Sequence, residues 1–208
     1  MHIICIGDSH IPKWAKNIPE KISQKIDIIA QEEQIDYIFF TGDVIEFPEF
    51  IDYLKLKAKR DFFIVMGNMD YYYGNRTAPM YQSLDLTFEN NEEITIGLTH
   101  GAQISPRGDH SQLESLAIER NYNILISGHT HKEEIFLSDK GILLINPGSV
   151  TGAWSFVASQ IPSFIEIFIV ESRKEFIVNL IQIDKQSREI VASKSVFSFQ
   201  NRQIKRKY

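Results

Sequence analysis

A chain of 208 residues with 43% apolar and 24% charged side chains has the length for one well-buried domain and the balance of an ordinary soluble globular protein, with no apolar run long enough to span a bilayer. A formal net charge of −5 argues against a broad nucleic-acid-binding surface. The start, Met1-His2-Ile3-Ile4-Cys5, lacks the basic segment and cleavage site of a signal peptide, so the cytoplasm is the expected compartment. The single cysteine, Cys5, reads as a small core residue.

In chain order, a strand is expected over His2 to Ile6, ending in Gly7-Asp8-Ser9-His10. Ile22, Ile26 and Ile29 recur at three and four, which predicts a helix from about Pro19 to Gln31. Tyr37-Ile38-Phe39-Phe40 reads as a second strand ending in Thr41-Gly42-Asp43, and a short helix follows near Pro48 to Lys59. Asp61 to Met66 reads as a third buried strand ending in Gly67-Asn68-Met69-Asp70. Strands alternating with helices predict a parallel sheet at the start. Leu84 to Phe88 and Ile94 to Leu98, around Asn90-Asn91, read as a hairpin ending in Thr99-His100-Gly101. Ser111-x-x-Glu114 is a candidate capping box for a helix to about Arg120, with Asp109 as the competing cap. Ile124 to Ser127 leads into His129 and His131, and a second hairpin is expected over Glu133 to Leu137 and Ile142 to Ile145. The remainder reads as strands Ser163 to Val170, Glu175 to Ile183 and Ile190 to Phe197. One domain is expected over residues 1–200, with a solvated, mobile basic tail over 201–208.

The chemistry is carried by Gly128-His129-Thr130-His131, two imidazoles at i and i+2 after an apolar run. In extended chain such side chains share one side, so a single metal or two adjacent metals could use both. Four more ligand clusters follow strands: Asp8 with His10, Asp43, Asn68 with Asp70, and His100. Ligands of open α/β sheets bind beyond the carboxyl ends of the strands, so these clusters are expected to converge on one rim. Any one of them alone reads more simply as a turn former or a hydrogen-bonded loop residue, and the repetition after successive strands is what points to metal. Carboxylate, amide and imidazole without thiolate suit manganese, iron or zinc. Seven ligands (Asp8, His10, Asp43, Asn68, His100, His129 and His131) exceed the needs of one ion with an open position. Two ions about 3.5 to 4 Å apart, sharing one carboxylate and a water, would use them all, and a bridging hydroxide would then hydrolyse a phosphate ester. Asp8, Asp43, Asn68 and His100 are the candidate catalytic residues, with Asp70, Tyr71 and Arg107 expected beside the ligands or the substrate.

Gly7-Asp8-Ser9-His10, Gly42-Asp43, Gly67-Asn68, His100-Gly101 and Gly128-His129-Thr130-His131 resemble, in order and spacing, the five motifs of the calcineurin-like metallophosphoesterase superfamily. The resemblance implies an α/β fold of two facing β-sheets flanked by helices, a four-layer sandwich. It also implies that Asp8, His10 and His131 hold one divalent ion, that Asn68, His100 and His129 hold the other, and that Asp43 bridges them. More narrowly, Asp8 to Pro12, Ile124 to Lys132, Ile145 to Gly152 and Ile161 to Phe164 resemble the small phosphoesterase-fold subunits of retromer and their small prokaryotic phosphodiesterase relatives. That likeness covers nearly all of the chain but the basic tail.

The chain departs from the family at two positions. Met69 stands where many relatives carry a histidine that protonates the leaving group, and Ala102 where they often read His-Gly-His. Two functions follow from the resemblance. One is a dinuclear phosphoesterase acting on a phosphodiester or an activated phosphomonoester, with His110 or water as substitute acid. The other is a retromer-subunit-like scaffold with weak or no catalysis, docking a helical-solenoid partner through aromatics such as Tyr71 to Tyr73 and Trp154, with that partner as a route to a peripheral place at membranes.

Overall fold

The computed structural model describes residues 1–89 and 91–207. Asn90, in the expected hairpin turn, and Tyr208, at the end of the expected tail, lie outside the described residues. Strands β1 (His2–Ile6), β2 (Tyr37–Phe40) and β3 (Asp61–Ile64) run parallel, linked by helices α1 (Glu20–Glu32) and α2 (Pro48–Lys55). The first strand also pairs antiparallel with β9 (Ser163–Val170), which continues through β10 (Glu175–Ile183), β11 (Ile190–Gln200) and β12 (Gln203–Lys207) into a seven-stranded mixed sheet.

The second sheet has five strands: β4 (Tyr81–Thr87), β5 (Glu93–Thr99), β6 (Ile124–Ile126), β8 (Leu143–Pro147) and β7 (Glu133–Leu137), in that spatial order. Its three central strands are parallel and its two edges antiparallel. Both expected hairpins form, with Leu84 opposite Ile96 and Ile135 opposite Ile145.

Three apolar layers hold this arrangement together. Ile3, Cys5, Phe39, Ile96, Ile124, Ile165 and Val178 lie between the two sheets. Ile4, Ile6, Phe40 and Phe164 on the other face of the large sheet meet Ile22, Ile26 and Ile29 of α1 and Phe50 and Leu54 of α2. Leu113 and Ala117 of α4 (His110–Glu119) cover Leu125 and Leu144 of the small sheet. The expected α/β/β/α sandwich is therefore present, each strand being apolar on the faces it buries.

Three local expectations are corrected. Helix α2 stops at Lys55 rather than Lys59, because Lys59 and Arg60 donate their N–H groups to the carbonyls of Ile35 and Asp36 as the chain enters β3. Helix α4 is capped by Asp109, whose Oδ1 accepts from Gln112 N at 2.8 Å, so Ser111 is already inside the helix and the Ser111/Glu114 box does not form. The basic tail is not loose: Asn201 and Arg202 take left-handed φ values of 53° and 61°, the turn closes, and Gln203–Lys207 pairs antiparallel with β11. Among the described residues no helix is long and apolar enough to cross a membrane.

Candidate metal centre

The carboxyl ends of β1, β2 and β3 of the large sheet and of β5 and β6 of the small one open onto the same place. Asp8 and His10 follow β1, Asp43 follows β2, Asn68 begins the short helix α3 (Asn68–Tyr72) after β3, His100 follows β5, and His129 and His131 follow β6. Asp8, His10, Asp43 and His131 each offer one ligand atom, and those atoms all lie within 4.8 Å of one another. His10 Nε2 is 2.9 Å from His131 Nε2, 3.2 Å from Asp43 Oδ2 and 3.8 Å from Asp8 Oδ1. On the other side His100 Nε2 is 3.0 Å from Asn68 Oδ1 and 3.5 Å from the same Asp43 Oδ2, and the His129 ring lies edge-on to His100 at 5.1 Å. Asp43 Oδ2 is thus common to two groups of donors.

Four of the donors, His100, His131, Asp8 and Asp43, are tied to the scaffold through their second polar atom, which fixes what they present inward. His100 Nδ1 donates to the Thr41 carbonyl at 2.7 Å and His131 Nδ1 to the Ala153 carbonyl at 3.2 Å, so both turn Nε2 toward the centre. Asp8 Oδ2 accepts from His129 N and Asp43 Oδ1 from Met69 N, which aims the remaining oxygens inward. Ser149 Oγ donates to the Asp8 carbonyl, and Asn146 Nδ2 donates to the Gly128 carbonyl and to Thr130 Oγ1.

Asp8, His10, Asp43, His129 and His131 all have positive φ, between 48° and 68°. The His pair is therefore not extended: two left-handed residues around the Thr130 N to Gly128 O bond send His129 toward His100 and His131 toward His10. Left-handed backbone in non-glycine residues costs energy, and its clustering here marks a site held by its surroundings.

The electrostatics call for a cation. Asp8 Oδ1 is buried with no hydrogen-bond donor, an orphan facing the Nε2 atoms of His10 and His131. Burial pushes the Asp8 carboxyl up, but the nearby His131, His10 and His100 rings outweigh it and hold it below the usual carboxylate range. Asp43 behaves likewise: burial opposes, and His100 and His10 prevail. Burial lowers His10, yet the Asp43 and Asp8 carboxylates beside it raise it to about 9. Burial, His100 and Arg107 depress His129 to about 4, and burial also lowers His131. Two buried carboxylates among lone pairs aimed at a common volume fit divalent ions by charge and by donor type.

Of the remaining candidates, Asp70 is buried and accepts from the backbone of Asp43, Ile45 and Gly67, so it supports the centre from behind. Arg107 lines the mouth of the cleft, its Nη1 3.5 Å from the His129 carbonyl oxygen. Tyr71 lines a neighbouring apolar cavity of about 280 Å³ with Met66, Tyr72, Met80 and Ala102, which reaches Asn68 and His100. His110 instead pairs with Glu134 at 2.8 Å and stacks on Phe136. Sequence reasoning missed Thr41, Ala153, Ser149 and Asn146. Asn146-Pro147-Gly148-Ser149 was visible as a motif, but carbonyl acceptors carry no side-chain signal.

The chain matches the model of the calcineurin-like phosphoesterase superfamily domain over residues 1–165. It is similar to a probable metallophosphoesterase of Methanothermobacter thermautotrophicus, with 35% identity over 152 residues that cover 73% of this chain and 78% of that one. Its fold is similar to that of Vacuolar Protein Sorting 29 from Cryptosporidium parvum, with a TM-score of 0.80 and 28% identity over 95% of this chain and 97% of that one. It is also similar to wild-type Vps29 from Entamoeba histolytica complexed with Zn²⁺, with a TM-score of 0.75 and 28% identity over 93% and 98%. A family match that spans every strand-end residue of the centre, beside a relative above 30% identity across most of both chains, makes this protein a member of the calcineurin-like phosphoesterase superfamily.

Proposed function

We propose that the chain is a dinuclear metal-dependent phosphoesterase that prefers phosphodiesters or activated phosphomonoesters. The observation that carries this reading is Asp43 Oδ2, 3.2 Å from His10 Nε2 and 3.5 Å from His100 Nε2, one carboxylate oxygen shared by two donor groups. In this reading Asp8, His10 and His131 hold one ion, Asn68, His100 and His129 the other, and Asp43 lies between. Manganese, zinc or iron fit such donors, and the likeness to a zinc-complexed Vps29 supports the same class of ion. Divalent ions, when bound, supply Lewis acidity to a phosphoryl oxygen and lower the pKa of a water.

The chain's own residues do the rest. Thr41 and Ala153 fix the tautomers of His100 and His131 through their carbonyls. Arg107 at the mouth can hold a phosphoryl oxygen, as a planar guanidinium does well. Met69 lines the same cleft and has no proton to give, so leaving groups stable as anions are favoured, and nitrophenyl esters should be cleaved far faster than alkyl phosphates. A diester has two arms, and two recesses meet at Asn68: the mouth over the centre and the apolar cavity beside Tyr71.

The second reading, a scaffold that docks a helical protein partner, is favoured by Tyr71, Tyr72 and Tyr73, all exposed beside the centre, and by the Vps29 likeness. One experiment separates the two: hydrolysis of bis(4-nitrophenyl) phosphate with manganese, with metal content and circular dichroism, for the parent and Asp43→Asn. Removing the shared charge should cut hydrolysis by roughly 100-fold or more while the fold persists. An active parent with an equally active, folded variant would falsify the two-ion reading. An inactive parent that binds two ions supports the scaffold.

A further inference from the structure

The cavity over the centre, about 120 Å³, has room for a phosphoryl group but not for a nucleoside-sized ester, whose remainder has the recess beside Tyr71 and the lip of the cleft open to it. That lip is aromatic. Trp14 and Trp154, the only two tryptophans of the chain, lie with ring centroids 5.9 Å apart and planes at 41°, and Phe156 meets Trp154 edge-on at 5.0 Å. The three side chains are 49%, 44% and 82% exposed. Three large rings left in water at the rim of one polar cleft form a surface that a ligand can cover.

The backbone beneath the two indoles is also anchored to the centre. Trp14 N donates to the carbonyl of His10 at 2.9 Å, and Ala153, which precedes Trp154, accepts from His131 Nδ1 and donates to Ser149 Oγ. The backbone segments that carry the two indoles are therefore each tied to an imidazole residue of the centre, Trp14 to His10 and Ala153-Trp154 to His131.

Cations interleave with the rings. Lys13 Nζ lies 5.6 Å from the Trp14 ring centroid, and Arg107 lines the same mouth. An apolar protein helix would gain little from two cations beside a phosphate site, whereas a nucleotide carries an anion and a π-face in one molecule. We infer that the Trp14–Trp154–Phe156 lip is a specificity element that stacks a nucleobase, so that the preferred substrate is a nucleotide phosphodiester. The inference rests on the phosphoesterase reading for its chemistry but not for its binding.

The test uses two diesters with one leaving group, thymidine 5′-(4-nitrophenyl) phosphate and methyl 4-nitrophenyl phosphate. In each, water adds to phosphorus, the P–O bond to 4-nitrophenolate breaks, that anion departs with the electron pair, and a proton is released. The other product is thymidine 5′-phosphate or methyl phosphate. With manganese-loaded protein, kcat/KM should be at least about tenfold higher for the thymidine ester, the worth of one base stack. Trp14→Ala and Trp154→Ala should each shrink that ratio severalfold, and Trp154→Phe should keep most of it. Binding is read independently, since all indole fluorescence arises from the lip: with zinc present, thymidine 5′-phosphate should quench it saturably and inorganic phosphate should not. Equal kcat/KM for the two esters, or phosphate that acts on the fluorescence as strongly as the nucleotide, overturns the inference. If neither ester is cleaved but quenching by the nucleotide persists, the phosphoesterase reading falls and the lip stands as a nucleotide site. If quenching is absent as well, both fall.

Discussion

Asp70 contributes no atom to the donor groups around Asp43 Oδ2, yet its two oxygens accept from three buried N–H groups, those of Asp43 at 2.8 Å, Ile45 at 2.9 Å and Gly67 at 3.0 Å. Asp43 and Ile45 both have positive φ, 59° and 70°, and for a β-branched residue that conformation is held only by its surroundings. Asp70→Ala leaves those donors unpaired, and we expect a loss of about 2 to 4 kcal/mol in urea unfolding. Metal affinity should fall about 10- to 100-fold by titration, the usual cost of a lost supporting partner. An unchanged midpoint and affinity would show that the Asp43 loop holds itself. Space is as tight as the hydrogen bonding: a Cβ on Gly67 would lie 1.9 Å from Asp43 Oδ1, and one on Gly128 would lie 2.6 Å from Asp8 Oδ2. The residues gathered around Asp43 were legible because each follows an apolar run, and Asp70 was legible as a neighbour of Asn68. Its task was not, since it anchors a loop 27 residues earlier and no local pattern records that. The left-handed turn through His129 and His131 was missed for a related reason: the i, i+2 argument assumes extended chain, and both residues have already left the strand.

At the scale of elements, strands and helices came through where one face is apolar, as in α1 with Ile22, Ile26 and Ile29 buried in a row. Ends came through less well, because they are decided by which neighbour takes a backbone group. The start of α4 can be tested directly. Asp109→Ala should cost about 1 kcal/mol and Ser111→Ala less than about 0.5 kcal/mol by chemical denaturation, and the reverse order would restore the Ser111 box. The carboxyl-terminal strand was hidden by composition, since its lysines and arginine point to solvent and Ile204 is its one buried side chain, 1% exposed. Ile204 N donates to the Gly141 carbonyl across to the small sheet, so β12 also links the two sheets at their edge. Ile204→Ala should therefore lower stability by about 2 to 4 kcal/mol, as for a core isoleucine, whereas in a loose tail it would cost nothing measurable in the same unfolding curve.

For the whole molecule, the centre is where both sheets deliver carboxyl ends of their strands, three from the large sheet and two from the small. Its side chains come from segments more than 120 residues apart in sequence, as His10 and His131 are, so nothing but the fold brings them together. Any ion held there would bind the folded state alone: an unfolded chain offers the same carboxylates and imidazoles without the shared volume. Binding to the native state alone stabilises by RT ln(1 + [L]/Kd), about 2.7 kcal/mol at a hundredfold excess over Kd for each ion. For a domain of this size that is a rise of roughly 5 to 10 °C in melting temperature per ion. A divalent ion between Asp8 and Asp43 acts in the same direction, adding attraction to two buried carboxylates that the neighbouring histidines already hold ionised. Chelation should therefore lower the melting temperature, and manganese or zinc should restore it in proportion to the ions bound. Asp43→Asn should show a smaller rise than the parent, since one shared charge is gone. The measurement is a thermal scan of chelated and reloaded protein beside direct metal analysis of each sample. Superimposable curves for samples proven to differ in metal content would mean that the convergence of the two sheets holds together without an ion, and the donors would then need another explanation.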